Sequence, residues 1–203
     1  MRIFAFAVSV LVLAGAVAQA QDGSAEVSFG NDYFHAGDEP RHSQQGGDDI
    51  FMAGDTVRMD AAITGSAVMT ARRVEVNADV GGDAYLAGME LSVSGAVSGD
   101  VSIAGYEIQV DGPVGGDLRA TGAKVTVNAP VAGYAAIAGE AIQINQPISG
   151  DVGLAGQNIT FGPEATIQGE LTLYEEEIGS TDVPGHVITE DRISRLKADS
   201  SEV

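Results

Sequence analysis

Between Asp48 and Phe161, residues 17 apart share the same character. Rows beginning at Asp48, Gly65, Gly82, Gly99, Gly116, Gly133 and Gly150 stack without a gap. One column reads Val57, Val74, Leu91, Ile108, Val125, Ile142 and Ile159, and two places on it reads Met59, Val76, Val93, Val110, Val127, Ile144 and Phe161. Between them runs a polar column: Arg58, Glu75, Ser92, Gln109, Thr126, Gln143 and Thr160. Such in-out-in alternation predicts a β-strand with one buried face. A second strand per row carries Ile50, Ala67, Ala84, Val101, Leu118, Ala135 and Val152, each followed two residues later by another inward position, from Met52 to Leu154. A third inward column is Ile63, Val80, Val97, Val114, Val131 and Ile148.

Rows of this length are too short for a strand-helix unit, which needs roughly 30 residues, and no segment repeats with a helical period. The pattern predicts an all-β fold: a single-stranded parallel β-helix of about seven 17-residue coils, triangular because each coil turns inward in three places. Crossover chirality favours a right-handed path. A Greek-key sandwich has no reason to keep one register over so many rows. Backbone pairing between coils would stack like side chains at about 4.8 Å per coil. Glycine columns such as Gly88, Gly105 and Gly122 suit corners, where the chain takes a positive φ or passes close to its neighbour. The column Asp60, Asn77, Ser94, Asp111, Asn128 and Asn145 suits another corner through local Asx turns. Register breaks at Gly162 to Thr166, as a two-residue insertion would cause, and Leu171 and Leu173 open an incomplete eighth coil.

The repeat divides the chain into residues 1–20, 21–47, 48–173 and 174–203. Residues 1–20 read as a cleaved export signal: Arg2, an apolar run from Ile3 to Val17, then Ala18-Gln19-Ala20 as a small-x-small cleavage site. Residues 21–47 show no evident period and read as a flexible polar lead. Residues 174–203 form an acidic tail that caps the last coil or ends in a short helix, with Thr189 as N-cap and Ile193 and Leu196 on one face.

The rows resemble the bactofilins, the polymer-forming bacterial cytoskeletal proteins. Gly99-Asp100-Val101, Ala104-Gly105, Ile108, Val110 and Val114 carry that likeness, repeated over residues 48–173. The resemblance implies a right-handed, three-sided β-helix that stacks end to end into nonpolar filaments without nucleotide. This chain departs from the cytoplasmic pattern in its export signal and its long acidic tail.

Charge narrows the partners. The formal net charge is −19, with 10 basic and 29 acidic residues, which argues against nucleic acid. Cysteine is absent, which excludes disulfides and thiolate metal sites. Asp83, Asp100 and Asp117 share one column, where stacked carboxylates need either turn hydrogen bonds or a bridging cation such as calcium. His35 and His42 fall in the lead and read as solvated, and no coil contains a histidine to act as a base. Arg72 and Arg73 read as a solvated outer pair, with an acidic glycan as their alternative partner. No cofactor, resident metal or catalytic constellation is expected. Two functions remain. One is a self-associating scaffold of the periplasm or cell envelope, joined through uncovered ends at Ile50, Phe51, Met52 and Met59 and at Leu154, Phe161, Leu171 and Leu173. The other is a monomeric, end-capped rod that binds peptidoglycan or envelope proteins.

Overall fold

The structure is a computed structural model that describes residues 24–198. The export signal read in residues 1–20 lies outside the described residues. Strands β1 (Ala25–Phe29), β2 (Asp32–Gly37) and β3 (Arg41–His42) precede seven strands of ten residues each. These are β4 (Ile50–Met59), β5 (Ala67–Val76), β6 (Ala84–Val93), β7 (Val101–Val110), β8 (Leu118–Val127), β9 (Ala135–Ile144) and β10 (Val152–Phe161). β11 (Leu171–Glu175), a 3-10 turn at Glu190–Arg192 and β12 (Ile193–Lys197) complete the path. Strands β4 to β10 pair in parallel, each with the next, in the 17-residue register of the sequence: Val93 lies opposite Val110, and Val110 opposite Val127. The third inward column forms isolated parallel bridges from Ile63 through Val80, Val97, Val114, Val131 and Ile148 to Ile167. The chain is a parallel β-solenoid, as the periodicity predicts.

Its interior is a pile of aliphatic columns. Val76, Val93, Val110 and Val127 are fully buried, as are Ile50, Val101 and Leu118. Each such side chain contributes roughly 1.5–3 kcal/mol relative to exposure. Stacking identical shapes lets every coil reuse one packing solution. The two strands expected per row are one bent strand in the structure. Pairing lapses where the strand turns, as between Gly54↔Ala71 and Thr56↔Arg73. No glycine between residues 47 and 173 has a positive φ; the positive values belong to Gly30, Gly37, Gly46 and Gly179. Close approach is the reason for the repeat glycines. A Cβ at Gly88 would collide with the carbonyl oxygen of Ala71, and one at Gly122 would lie 2.6 Å from that of Gly105.

The N-terminal flank differs from the expected reading; the tail caps the last coil as one expected alternative had it, with a single 3-10 turn after Thr189 in place of a helix that would include Ile193 and Leu196. Residues 31–47 are a further coil rather than a flexible lead: β2 pairs with β4 (Tyr33↔Ile50, His35↔Met52) and β3 with β4 (His42↔Met59). The coil was hidden because Tyr33, His35, Pro40 and His42 occupy the columns that later hold Ile, Met, Val and Met. Its remaining signal is Ala36-Gly37-Asp38, 17 residues ahead of Ala53-Gly54-Asp55. β1 then folds back on β2 as an antiparallel hairpin. At the other end, Ile193 and Leu196 lie on strand β12 instead of a helix, paired in parallel with β11. Parallel pairing supplies Ile193–Lys197 with main-chain partners that a one-turn helix would lack. The tail also returns Val187 and Ile188 to the core, and the N–H of Ile167 donates to the carbonyl of Val187 at 2.9 Å. The insertion at Gly162 to Thr166 is accommodated as expected, with Ile148 bridging Ile167 two residues late.

Candidate functional site

The Gly-Asp dipeptides build one edge of the solenoid. The carboxylate of Asp83 accepts the backbone N–H of Asp100 at 2.8 Å; Asp100 accepts that of Asp117 at 2.9 Å, and Asp117 that of Tyr134 at 3.0 Å. Asp49 and Asp151 do the same for Ser66 and Glu170, and Ser66 Oγ continues the series to Asp83. Each acid therefore satisfies the main chain of the next coil rather than its own turn. The preceding glycine makes room for it: a Cβ on Gly116 would collide with Asp100 Oδ1, and one on Gly133 with Asp117 Oδ1. Arg119 bridges the outer oxygens of Asp100 (3.0 Å) and Asp117 (3.1 Å) and lies over the Tyr134 ring. The N–H of Asp117, then Arg119, hold the Asp100 carboxyl below its usual range. Replacing Asp100 by Ala is expected to cost about 1 kcal/mol in urea unfolding, because the Asp117 N–H loses its acceptor while staying within reach of water.

The Asp/Asn corner is also a ladder between coils. Asn77 donates to Asp60 at 2.8 Å, Asn128 to Asp111 at 2.7 Å and Asn145 to Asn128 at 2.6 Å, in place of the expected local turns. The basic residues of the coils are likewise paired. Arg72 grips Asp55 through two bonds of 3.0 Å, Arg73 meets Glu90 at 3.0 Å and Lys124 meets Glu107 at 2.8 Å. Arg72 and Arg73 thus already hold acids of neighbouring coils. A shallow hollow of about 360 Å³ runs beside Arg73 between Glu75, Glu90 and Glu107.

At the N-terminal end the interior is closed by aromatic and polar rings. His35 and His42 are buried, not solvated, with 6% and 1% of their surface exposed. His35 Nε2 stands 3.3 Å from His42 Nδ1, and Tyr33 packs on both rings. Burial pushes both imidazoles below their usual pKa. Outward from this coil runs an exposed apolar stripe, Val27, Phe34, Phe51, Val68 and Tyr85, in which Phe34 and Phe51 stack at 4.8 Å.

At the C-terminal end the plug is ionic. Glu175 is fully buried and meets Arg195 at 2.9 Å. It also accepts the backbone N–H groups of Gly179 and Thr181, both at 2.8 Å. Burial alone would raise its pKa, but these donors and Arg195 bring it below the usual carboxylate range. Arg192 ties the tail down through the carbonyls of Gln168 (2.7 Å) and Gly169 (3.1 Å).

The expected end faces are therefore covered. Ile50, Met52, Met59, Leu154, Leu171 and Leu173 are buried beneath coil 31–47, β11 or the tail, Phe161 is packed against the core, and Phe51 points outward. Among the described residues no group of three or more His, Cys, Asp or Glu side chains converges as a metal site; Asp83, Asp100 and Asp117 form the hydrogen-bonding ladder to the next coil. No helix among the described residues is long and apolar enough to cross a membrane. No family model, curated protein or solved structure matches the chain. The class that the coordinates define is a parallel β-solenoid, plugged at both ends by polar side chains.

Proposed function

We propose that the chain is a non-enzymatic structural rod of the cell envelope that self-associates end to end. The observation that carries this reading is the open main-chain ladder at each end. Among the described residues nothing pairs with the outer edge of β1 or of β12. An unpaired edge is a template for another strand, and the exposed stripe from Val27 to Tyr85 adjoins the β1 edge. Contact would run through strand edges and this stripe, not through an exposed core. Antiparallel pairing of β1 with a second β1, and of β12 with a second β12, would give a nonpolar rod of the kind the bactofilin resemblance implies. The long outer faces carry ladders of like residues and paired ions, which suits a framework. The envelope location rests on the reading of residues 1–20 as an export signal.

The polar plugs favour a second reading, a rod of fixed length that presents its faces to glycan or protein. Sedimentation and electron microscopy of residues 21–203 separate the two. Rods that lengthen with concentration, and shorten to single units in Val27→Lys/Phe29→Lys, are the expected result. A species the size of one chain at every concentration would leave the fixed-length rod.

A further inference from the structure

The first coil is the place where the interior abandons aliphatic side chains. His35 and His42 stand in the two inward columns that continue as Met52 and Met59, and Met69 follows Met52 one coil on. All three methionines are buried. The imidazole pair is incompletely satisfied by the protein. Nitrogens 3.3 Å apart have room for one hydrogen bond, its direction set by the tautomers, and His42 Nε2 remains buried without a partner. His35 presents its other nitrogen, Nδ1, to Glu26 Oε2 at 3.9 Å.

We propose that His35 Nε2 and His42 Nδ1, with the thioethers of Met52 and Met59, form a buried site for a soft monovalent cation, copper(I) in its biological form. Two nitrogens that bind one tetrahedral ion at about 2.0–2.1 Å lie roughly 3.3 Å apart, the spacing of His35 Nε2 and His42 Nδ1 here. The cation takes the place of the proton between the two nitrogens, and that proton moves to His35 Nδ1, beside Glu26, so both rings bind as neutral tautomers. The methionines begin one coil step, about 4.8 Å, beneath the rings. Thioether and imidazole ligands select copper(I), whereas calcium and magnesium require oxygen. Zinc is disfavoured by charge. All four ligands are neutral, and the Born cost of a divalent ion in an apolar interior is roughly fourfold that of a monovalent one. Glu26 completes the arrangement from outside, as carboxylates commonly do behind a metal-bound imidazole. The ion would join the two inward columns of coil 31–47 to β4, fastening the coil that closes the rod.

Silver(I), a redox-inert probe of the same class, tests the site in the purified exported chain. Native mass spectrometry is expected to show one ion per chain, and X-ray absorption both nitrogen and sulfur neighbours. His42→Leu should abolish binding, Met59→Leu should weaken it, and Glu26→Gln should weaken it roughly tenfold. Met89→Leu, on the exposed surface, should change nothing. Absence of stoichiometric binding by the folded chain, undiminished binding in His42→Leu, or an absorption spectrum without nitrogen would each overturn the proposal. Should His42→Leu fail to fold by circular dichroism, the spectrum of the wild-type complex decides alone.

Discussion

Glu175→Ala is expected to lower the unfolding free energy by about 3 kcal/mol, the low end of the range for breaking a buried ion pair. Three donors converge on that carboxylate: the N–H groups of Gly179 and Thr181, and Arg195. Removing it leaves Arg195, only 21% exposed, without its counter-charge and with the Thr181 carbonyl as its remaining acceptor. The loss should be local at first. Cleavage by a protease within residues 176–198 should precede loss of β-structure by circular dichroism, since the tail is tied to the rod through β12, Arg192 and Val187. The same residue sets a pH dependence. Its folded pKa lies below its unfolded one. The stabilisation is therefore complete above the unfolded pKa and lost as pH falls through the folded value. Acid titration of Glu175→Gln should lack that component, and a tail equally protease-sensitive at neutral and acid pH in the wild-type chain would refute it. Asp60 and Asp100 are shifted in the same direction, by Asn77 and Arg41 and by the Asp117 N–H and Arg119, so acid weakens the rod along its length.

The second large effect is expected from the smallest substitution. Gly88→Ala should destabilise by about 3 kcal/mol, because the new methyl group meets the Ala71 carbonyl in a coil that its own backbone pairing holds in place. Gly153→Ala should be neutral or stabilising by a few tenths of a kcal/mol. A Cβ at Gly153 meets nothing within 4 Å, and alanine has less unfolded-state entropy to lose. Both glycines lie on ten-residue strands and neither has a positive φ. Propensity alone predicts that both changes stabilise the strand. Urea midpoints for the two variants distinguish packing from propensity, and equal midpoints would count against the close coil-to-coil approach.

The contrast between these glycines shows how far the repeat could be read. Its 17-residue period determined the parallel pairing, the inward columns and even the two-residue insertion before Ile167, because each coil packs only on its neighbours and must present them with the same shape. The period could not say why glycine recurs. Corner chirality and close approach leave the same trace in a sequence, and only the position of the Ala71 carbonyl separates them. The Gly-Asp phrase is similar: its acids look like turn formers, yet they bond the main chain of the following coil and use the space that Gly99, Gly116 and Gly133 leave.

The way the ends close was decided by tertiary structure. In coil 31–47 the columns hold Tyr33, His35, Pro40 and His42, whose types argue against a core, so hydrophobic periodicity is silent there. What recruits them is the free edge of β4, which pairs with any chain of the right spacing and tolerates rings that hydrogen-bond to one another. Likewise Glu175 and Arg195, 20 residues apart, read as tail charges until β12 lies beside β11 and brings them together. Repetition along the rod is a local rule that composition records. Closure of the rod depends on contacts made once, between residues that need not resemble any others in the chain.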